Sequence, residues 1–407
     1  WSFLCGRSDL VCEDMEDSAN YSSTFFFCTP LSHERIIWCT ECIASGAGIT
    51  PEQGRIFTVF LTGDALFSFV DATSRESWNA LSKVPSVQIV ADGDELRLHG
   101  LCVSVARAAP GICITERGGG TLFWEQLISH LAAEWKGTKK AAFLLCHPPY
   151  MSRIPVHMLR FLSGAYAAGL SPELYAYLDG LHNIHNGQRP SEFENIGRAI
   201  ATLARKSGES GKDPWFAACS RCATARGYFQ MNPGTGYCEP ASSIDEITIR
   251  PLKEILSRFP GFYPILSHTS GGIVNPDRSR DQDTRPRLII FITNPPYGTE
   301  WTFGGLSLAL ATAMEGIPTT VVFIEHGVYS LYGTHEVPPN DKVFNVQEMV
   351  AATLDIPSLC YLVHAPSLER RGIGVEEHLI GIREVQNNDL AQILWDHDYS
   401  ATRILFF

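Results

Sequence analysis

The chain contains 407 residues, of which 45% are hydrophobic and 19% charged, a composition that excludes the disordered and fibrous classes of protein. At roughly 100–200 residues per domain the length predicts two to four domains, and no apolar run reaches the roughly 18 residues of a membrane-spanning helix. The formal net charge of -12 provides no overall counter-charge for a phosphate backbone or an anionic membrane. Direct binding to nucleic acid or to a membrane is therefore not expected.

The twelve cysteines are scattered through apolar stretches, as buried thiols in a reducing compartment are. This distribution predicts a cytoplasmic protein. The first residue is Trp1 and not Met, so the native start is missing, and the sequence leaves open whether a signal peptide has been removed.

The first predicted elements follow an N-terminal tail, residues 1–20. The string STFFFCTP predicts a strand that stops at Pro30, and residues 32–44 suit a helix. The string RIFTVFLTGDALF predicts a second strand that ends at Gly63 and Asp64.

Two clearer copies of this strand, helix, strand pattern follow. Their first strands, FLLCHPPY and IFITNPPY, are apolar runs broken by a Pro-Pro-Tyr turn, which cannot continue a ladder. The same number of residues separates Pro149 from Gly180 in one copy and Pro296 from Gly327 in the other. Equal spacing in two places predicts a duplicated unit.

A third strand with a downstream glycine occurs in all three copies. The strings SVQIVADGDELRLHG, PWFAACSRCATARG and SLCYLVHAPSLERRG end at Gly100, Gly227 and Gly372. The three strands with their downstream glycines predict three units, at residues 21–140, 141–264 and 286–407. The polar, Gly- and Pro-rich stretch between the last two, residues 265–285, is predicted to be a linker.

Alternation of strands and helices predicts an α/β fold in which each unit is a mainly parallel sheet flanked by helices. Reactive groups in such sheets collect beyond the carboxyl ends of the strands. Cys219 ends the apolar run WFAA there, and the following SRCATARG can begin a helix. Backbone N–H groups and the charges of Arg221 and Arg226 would favour a thiolate. The alternative is a buried core cysteine.

The same residues resemble the DsrE/DsrF family of sulfur-relay proteins, which includes the TusD and TusC subunits. Residues 141–264 look most like the DsrE/TusD type, residues 286–407 are similar to DsrF/TusC, and residues 23–115 resemble a diverged member. The resemblance rests on the Pro-Pro-Tyr turn, the strand ending in x-Gly-Val/Leu, and the segment ACSRCATARG.

The resemblance implies a function and the residue that performs it. In the family, a cysteine eight positions before the Arg-Gly glycine accepts sulfur as a persulfide and passes it on, as a sulfurtransferase or carrier. The same count gives Cys219 in the middle unit, Asp92 in the first and His364 in the third. Only a thiol can carry sulfane sulfur, so the implied site is Cys219 with Cys222 and Arg226.

The resemblance also implies partners. Sulfur-donor and sulfur-acceptor proteins are expected, with no cofactor and no metal. Family members assemble as two heterotrimers of three related subunits, so a chain with three units is expected to form a homodimer. The alternative function is a non-catalytic scaffold or assembly subunit, because two of the three reactive positions lack cysteine.

Two Cys-x-x-Cys pairs need separate interpretation. Cys222 can resolve a persulfide as a disulfide, help to ligate a metal, or be a partly buried thiol on a first helical turn. Cys39 and Cys42 fall inside a predicted helix and not at its start, so we expect two helix-face cysteines without chemistry. The pairs are too far apart in sequence for a zinc ribbon.

The string NPPYG, residues 294–298, matches the catalytic motif of amino-group DNA methyltransferases. Such an enzyme needs a glycine-rich cofactor loop that the sequence lacks ahead of it. The related HPPYM in the middle unit indicates that the turn belongs to the fold. His182 and His185, spaced i, i+3, are interpreted as surface or site-lining residues.

Overall fold

The computed structural model describes residues 22–49, 56–274, 286–376, 379–395 and 398–407. Apolar runs of strand length alternate along these residues with longer runs of helical periodicity, and the structure is accordingly α/β. We call residues 22–134 the first segment, 140–266 the middle segment and 286–407 the last segment.

The first segment contains β1 (Ser22–Phe27), α1 (His33–Ile49), β2 (Ile56–Leu61), a 3-10 helix (Gly63–Phe69), α2 (Ala72–Leu81), β3 (Val87–Ala91), α3 (Gly93–Leu98), α4 (Cys102–Ala108), β4 (Cys113–Ile114) and α5 (Leu122–Glu134). The middle segment contains β5 (Lys140–Leu145), α6 (Ile154–Ala167), β6 (Ser171–Ala176), a 3-10 helix (Leu178–Ile184), α7 (Ile196–Glu209), β7 (Trp215–Cys219), α8 (Ser220–Ala225), β8 (Phe229–Met231), β9 (Cys238–Pro240), β10 (Thr248–Arg250), α9 (Leu252–Leu256) and β11 (Ile265–Leu266).

Strand β12 (Thr269–Val274) connects the middle segment to the last. The last segment contains β13 (Arg287–Ile292), α10 (Trp301–Met314), β14 (Thr319–Phe323), a 3-10 helix (Glu325–Leu331), α11 (Val346–Ala351), β15 (Leu359–His364), α12 (Ala365–Arg371), β16 (Arg383–Val385), α13 (Asn387–Leu394) and β17 (Ala401–Phe406).

Among the described residues, the strands form two large sheets and one hairpin. The larger sheet has the order β16-β15-β14-β13-β17-β12-β1-β2-β3-β4, the smaller has the order β10-β7-β6-β5-β11, and β8 pairs with β9 in the hairpin. Neighbours in the two large sheets are parallel except at β12, which is antiparallel to both β1 and β17. The prediction of mainly parallel sheets is therefore confirmed.

The strand order repeats from segment to segment. Within each segment, the first four strands that belong to one of the two large sheets lie side by side in chain order. A fifth strand lies beside the first of these four: β12 for the first segment, β11 for the middle segment and β17 for the last. Only β12 runs antiparallel to the strand it joins. This common order supports the three-unit organisation, which together with its boundaries remains a proposal.

The segment predicted to be a linker differs from that prediction. Its described part contains β11 and β12, and β12 joins the first and last segments into one ten-stranded sheet. The prediction was wrong for residues 269–274, because Gly271 and Gly272 lie in an extended strand whose two edges are both paired. Residues 275–285 lie outside the described residues.

Side chains alternate between two cores across the larger sheet, as the two-residue period of a strand requires. Ile290 and Ile292 pack into the core shared with the smaller sheet, whereas Ile289 and Phe291 pack into the core on the opposite face. Both faces are therefore covered, which explains why the strands are continuous apolar runs. No helix among the described residues has the length and apolar character needed to cross a membrane.

Ion pairs connect the three segments in a cycle. In each segment, a residue within or directly after the helix that follows the third strand contacts the first helix of another segment, or the residue just before that helix. The three pairs are Glu95–Arg153 (2.7 Å) from first to middle, Arg226–Glu300 from middle to last, and Arg371–Glu34 (3.0 Å) from last to first. The carboxyl end of β7 consequently lies beside the last segment.

Candidate functional site

Cys219 is the last residue of β7 and the N-cap of α8. Its backbone is extended, with φ -64° and ψ 121°, so the chain changes from strand to helix at this residue. The predictions that Cys219 ends a strand and that SRCATARG begins a helix are confirmed. The side chain is only 1% exposed, so the sulfur lies below the surface and not on it.

The surroundings of the Cys219 sulfur favour the thiolate. The Cys222 side chain has the largest effect in lowering the pKa of Cys219; burial opposes it, and the backbone N–H groups of Cys222 and Arg221 and the Arg221 charge reinforce it. The resulting pKa of Cys219 is about 7. The same contact raises the pKa of Cys222, and burial and the charge of the neighbouring Cys219 raise it further. Near neutral pH the Cys219 thiolate is therefore well populated, whereas Cys222 remains a thiol.

This pKa predicts the pH dependence of alkylation. With a pKa of about 7, half of Cys219 is thiolate near neutral pH, whereas a free cysteine is only a few per cent ionised. The rate of iodoacetamide reaction at Cys219, followed by peptide mapping, should rise with pH and reach half its plateau near pH 7. A midpoint close to that of free cysteine would contradict the effect of the surrounding groups on the Cys219 thiolate.

The two arginines of the site have different surroundings. Arg226 donates two hydrogen bonds to Asp179, of 3.0 and 2.8 Å, and also pairs with Glu300 of the last segment. Both carboxylates raise the pKa of Arg226, although burial opposes them. Its charge is therefore largely compensated, and Arg221 is the arginine that lowers the pKa of Cys219.

The last segment also contacts the residue that follows β6, next to the site. The Tyr177 hydroxyl donates a hydrogen bond of 3.0 Å to the Gly304 carbonyl in α10. Leu178, which follows, has φ 50°, and its backbone N–H partly offsets the rise in the pKa of Cys222. A left-handed conformation is uncommon for leucine. The tight entry into the 3-10 helix therefore helps to place the second thiol.

Asp92 and His364 occupy the corresponding places in the other segments. Asp92 follows β3 as the N-cap of α3, and His364 ends β15 as the N-cap of α12. The glycines eight positions downstream, Gly100, Gly227 and Gly372, all have positive φ. The three glycines therefore reflect a shared turn, whose positive φ is a backbone conformation that other residues rarely adopt.

Hydrogen bonds satisfy the non-thiol residues at these positions. Asp92 accepts from the Thr62 hydroxyl at 2.8 Å and from two backbone N–H groups of α3. His364 lies 2.7 Å from the Ser367 hydroxyl and 2.6 Å from the Asn387 amide oxygen. Both side chains are buried, and they hold the local turn through contacts of their own.

Cys39 and Cys42 lie in the middle of α1, as predicted. Both are buried, and burial raises the pKa of each thiol above its ordinary value. Neither cysteine occupies a strand end or a helix start, and burial outweighs the Arg35 charge near Cys39, so neither thiolate is favoured.

The remaining motifs have structural contacts. The Thr302 hydroxyl closes the NPPYG turn by donating to the Asn294 and Pro295 carbonyls, at 2.8 and 3.0 Å. The His182 ring lies 3.0 Å from the Tyr228 hydroxyl. Within the part of the chain that the structure describes, no group of three or more His, Cys, Asp or Glu side chains is arranged to hold a metal ion.

Sequence reasoning missed the contribution of the last segment. Arg221 lies 5.4 Å from the Phe303 ring and 5.8 Å from the Phe344 ring, and Glu300 pairs with Arg226. No local motif marks these residues, because only tertiary packing brings them to β7. Asp179 could have been found, since it follows a strand end in the repeated x-Gly-Val/Leu motif.

Comparison with known proteins finds a family match over part of this chain. Residues 287–399 match the DsrE/DsrF-like family. This confirms the resemblance for the last segment.

Individual relatives are much shorter. The uncharacterized protein MJ0989 of Methanocaldococcus jannaschii is 27% identical over 116 residues, which cover 28% of this chain and 98% of that protein. The crystal structure of the ychN protein from E. coli is similar over 30% of this chain and 99% of its own, with 22% identity and a TM-score of 0.25.

Proposed function

We propose that this protein carries sulfane sulfur as a persulfide on Cys219, acting as a sulfurtransferase between a donor and an acceptor protein. The observation that carries the proposal is the position of Cys219 at the carboxyl end of β7 and at the N-cap of α8, where Cys222, the backbone of the first helical turn and the Arg221 charge lower its pKa to about 7. A thiolate at neutral pH is the first requirement of sulfur transfer.

Loading begins when the Cys219 thiolate attacks the terminal sulfur of a donor persulfide. A new sulfur–sulfur bond forms at Cys219, the donor's sulfur–sulfur bond breaks, and the donor leaves as a thiolate. Transfer is the reverse type of step, in which an acceptor thiolate takes the terminal sulfur and Cys219 leaves as a thiolate. Both steps exchange sulfur between thiols and need no outside oxidant or reductant.

Cys222 offers a second outcome. Its thiol can lose a proton and attack the Cys219 sulfur, which forms a Cys219–Cys222 disulfide and releases the terminal sulfur as hydrosulfide. Two thiols of a reductant are then needed to return the pair to the starting state. The raised pKa of Cys222 disfavours this route and keeps the sulfur available for the acceptor.

The other two segments are proposed to be diverged units without sulfur chemistry. Asp92 and His364 stand where the thiol would be and are engaged in their own hydrogen bonds. Three units per chain correspond, by resemblance, to half of a six-unit ring. We therefore propose a homodimer of cytoplasmic location whose partners are the donor and acceptor proteins.

The carrier function is tested by sulfur loading. After incubation with a low-molecular-weight persulfide and removal of excess reagent, cyanolysis should release sulfane sulfur as thiocyanate from the wild-type chain. Cys219→Ser should abolish this release, whereas Cys39→Ser, a matched change at a buried helical thiol, should leave it unchanged. Failure of the wild-type chain to load sulfur would favour the alternative, a non-catalytic scaffold or assembly subunit.

A further inference from the structure

Arg221 is held against two aromatic rings of another segment. The Phe303 and Phe344 rings are stacked, with centroids 4.9 Å apart and planes inclined by 18°. The Arg221 guanidinium carbon lies 5.4 Å from the first centroid and 5.8 Å from the second. These distances are within the range of cation–π attraction. We call Phe303 and Phe344 the aromatic clamp.

The clamp belongs to the last segment, whereas the thiol belongs to the middle segment. Phe303 lies in the first turn of α10, and Phe344 lies in the loop before α11. Phe344 is 58% exposed, so its ring contributes little to the core. A large apolar side chain kept at the surface beside a charged group indicates a local contact with that group.

An arginine next to a thiolate acts only while its charge stays near the sulfur. Arg221 is exposed, and a free arginine side chain samples many rotamers. Stacking on two rings restricts that sampling, and the Arg221 charge, two residues from Cys219 in the first turn of α8, lowers the pKa of that thiol. The other titratable groups around the sulfur are Cys222, Tyr177, Cys146, and Arg226 with its carboxylates Asp179 and Glu300.

We propose that Phe303 and Phe344 are positioning residues for the middle segment's site, which fix Arg221 beside Cys219 and so make its reactivity depend on the last segment. The inference rests on the proposed function for its relevance to sulfur transfer. It also gives a role to the last segment, which has His364 where the middle segment has Cys219.

The test is the pH profile of Cys219 alkylation in the full chain. Phe344→Ala and Phe303→Leu should each lower the rate at pH 6.5 by about two- to threefold, because a guanidinium free of the rings spends less time near the sulfur and lowers the pKa of Cys219 by a fraction of a unit less. The plateau rate at high pH should not change. Phe193→Ala, at a 71% exposed phenylalanine of the middle segment, is the matched control and should behave as the wild type.

A double-substitution cycle separates positioning from general packing. Arg221→Gln should lower the rate at pH 6.5 by at least as much as Phe344→Ala, and adding Phe344→Ala to it should have no further effect. Additive effects, or an unchanged profile in Phe344→Ala and Phe303→Leu, would overturn the proposal. Since the readout is alkylation, a failure of sulfur loading alone would refute the carrier function and leave the clamp standing.

Discussion

Gly180→Ala is expected to destabilise the protein by more than about 3 kcal/mol, beyond the usual cost of overpacking. A Cβ atom at Gly180 would lie 1.8 Å from the Leu145 carbonyl oxygen. That oxygen accepts the Tyr177 N–H at 2.9 Å, so it cannot move away without breaking the hydrogen bond between β5 and the start of the 3-10 helix. The decrease should be measured as a loss of unfolding free energy in urea.

Gly327→Ala is expected to have the same effect, because its Cβ would lie 1.9 Å from the Ile292 carbonyl oxygen, which accepts the Ile324 N–H at 3.0 Å. The matched control is Gly208→Ala, in α7, where nothing lies within 4 Å of the new atom. That change should be neutral or should stabilise the helix by about 0.5–1 kcal/mol. Equal stability of all three variants would contradict the close approach at the two glycines.

Cys222→Ala is expected to slow the reaction of Cys219 with iodoacetamide about three- to tenfold at pH 7, because it removes a hydrogen bond to a charged acceptor. The Cys222 side chain has the largest effect on the pKa of Cys219. Its loss should move the midpoint of the pH profile upward and leave the plateau rate unchanged.

Cys222→Ser separates the hydrogen bond from the sulfur chemistry. The serine hydroxyl still donates, so the pH profile should stay close to that of the wild type. Neither variant can form an internal disulfide, so both should hold loaded sulfur longer in the absence of an acceptor. Alanine and serine variants that both keep the wild-type profile would show that the side chain of residue 222 does not set the thiolate.

The sequence was informative where a local rule governs the backbone. The equal spacing to Gly180 and Gly327 reflects two places where only a hydrogen atom fits below a strand carbonyl. The positions before Gly100, Gly227 and Gly372 were found by counting, because each glycine has the positive φ that the turn requires. Cys219 could therefore be placed at a strand end without any structure.

The sequence was uninformative where distant segments meet. Strand β12 has the composition of a loop, and it becomes a strand because β1 and β17 offer hydrogen-bonding edges on either side. The aromatic clamp and Glu300 have no signature, since their relation to Arg221 and Arg226 arises only from packing.

The location of the added sulfur tests the central claim most directly. Trypsin cleaves after Arg221 and so separates Cys219, in the peptide 213–221, from Cys222, in the peptide 222–226. After loading with a persulfide and alkylation, mass spectrometry should find the mass of one extra sulfur atom on peptide 213–221, removable by a thiol reductant. Extra sulfur on peptide 222–226 or on the peptide containing Cys39 and Cys42, with none on 213–221, would contradict the assignment of Cys219 as the sulfur carrier.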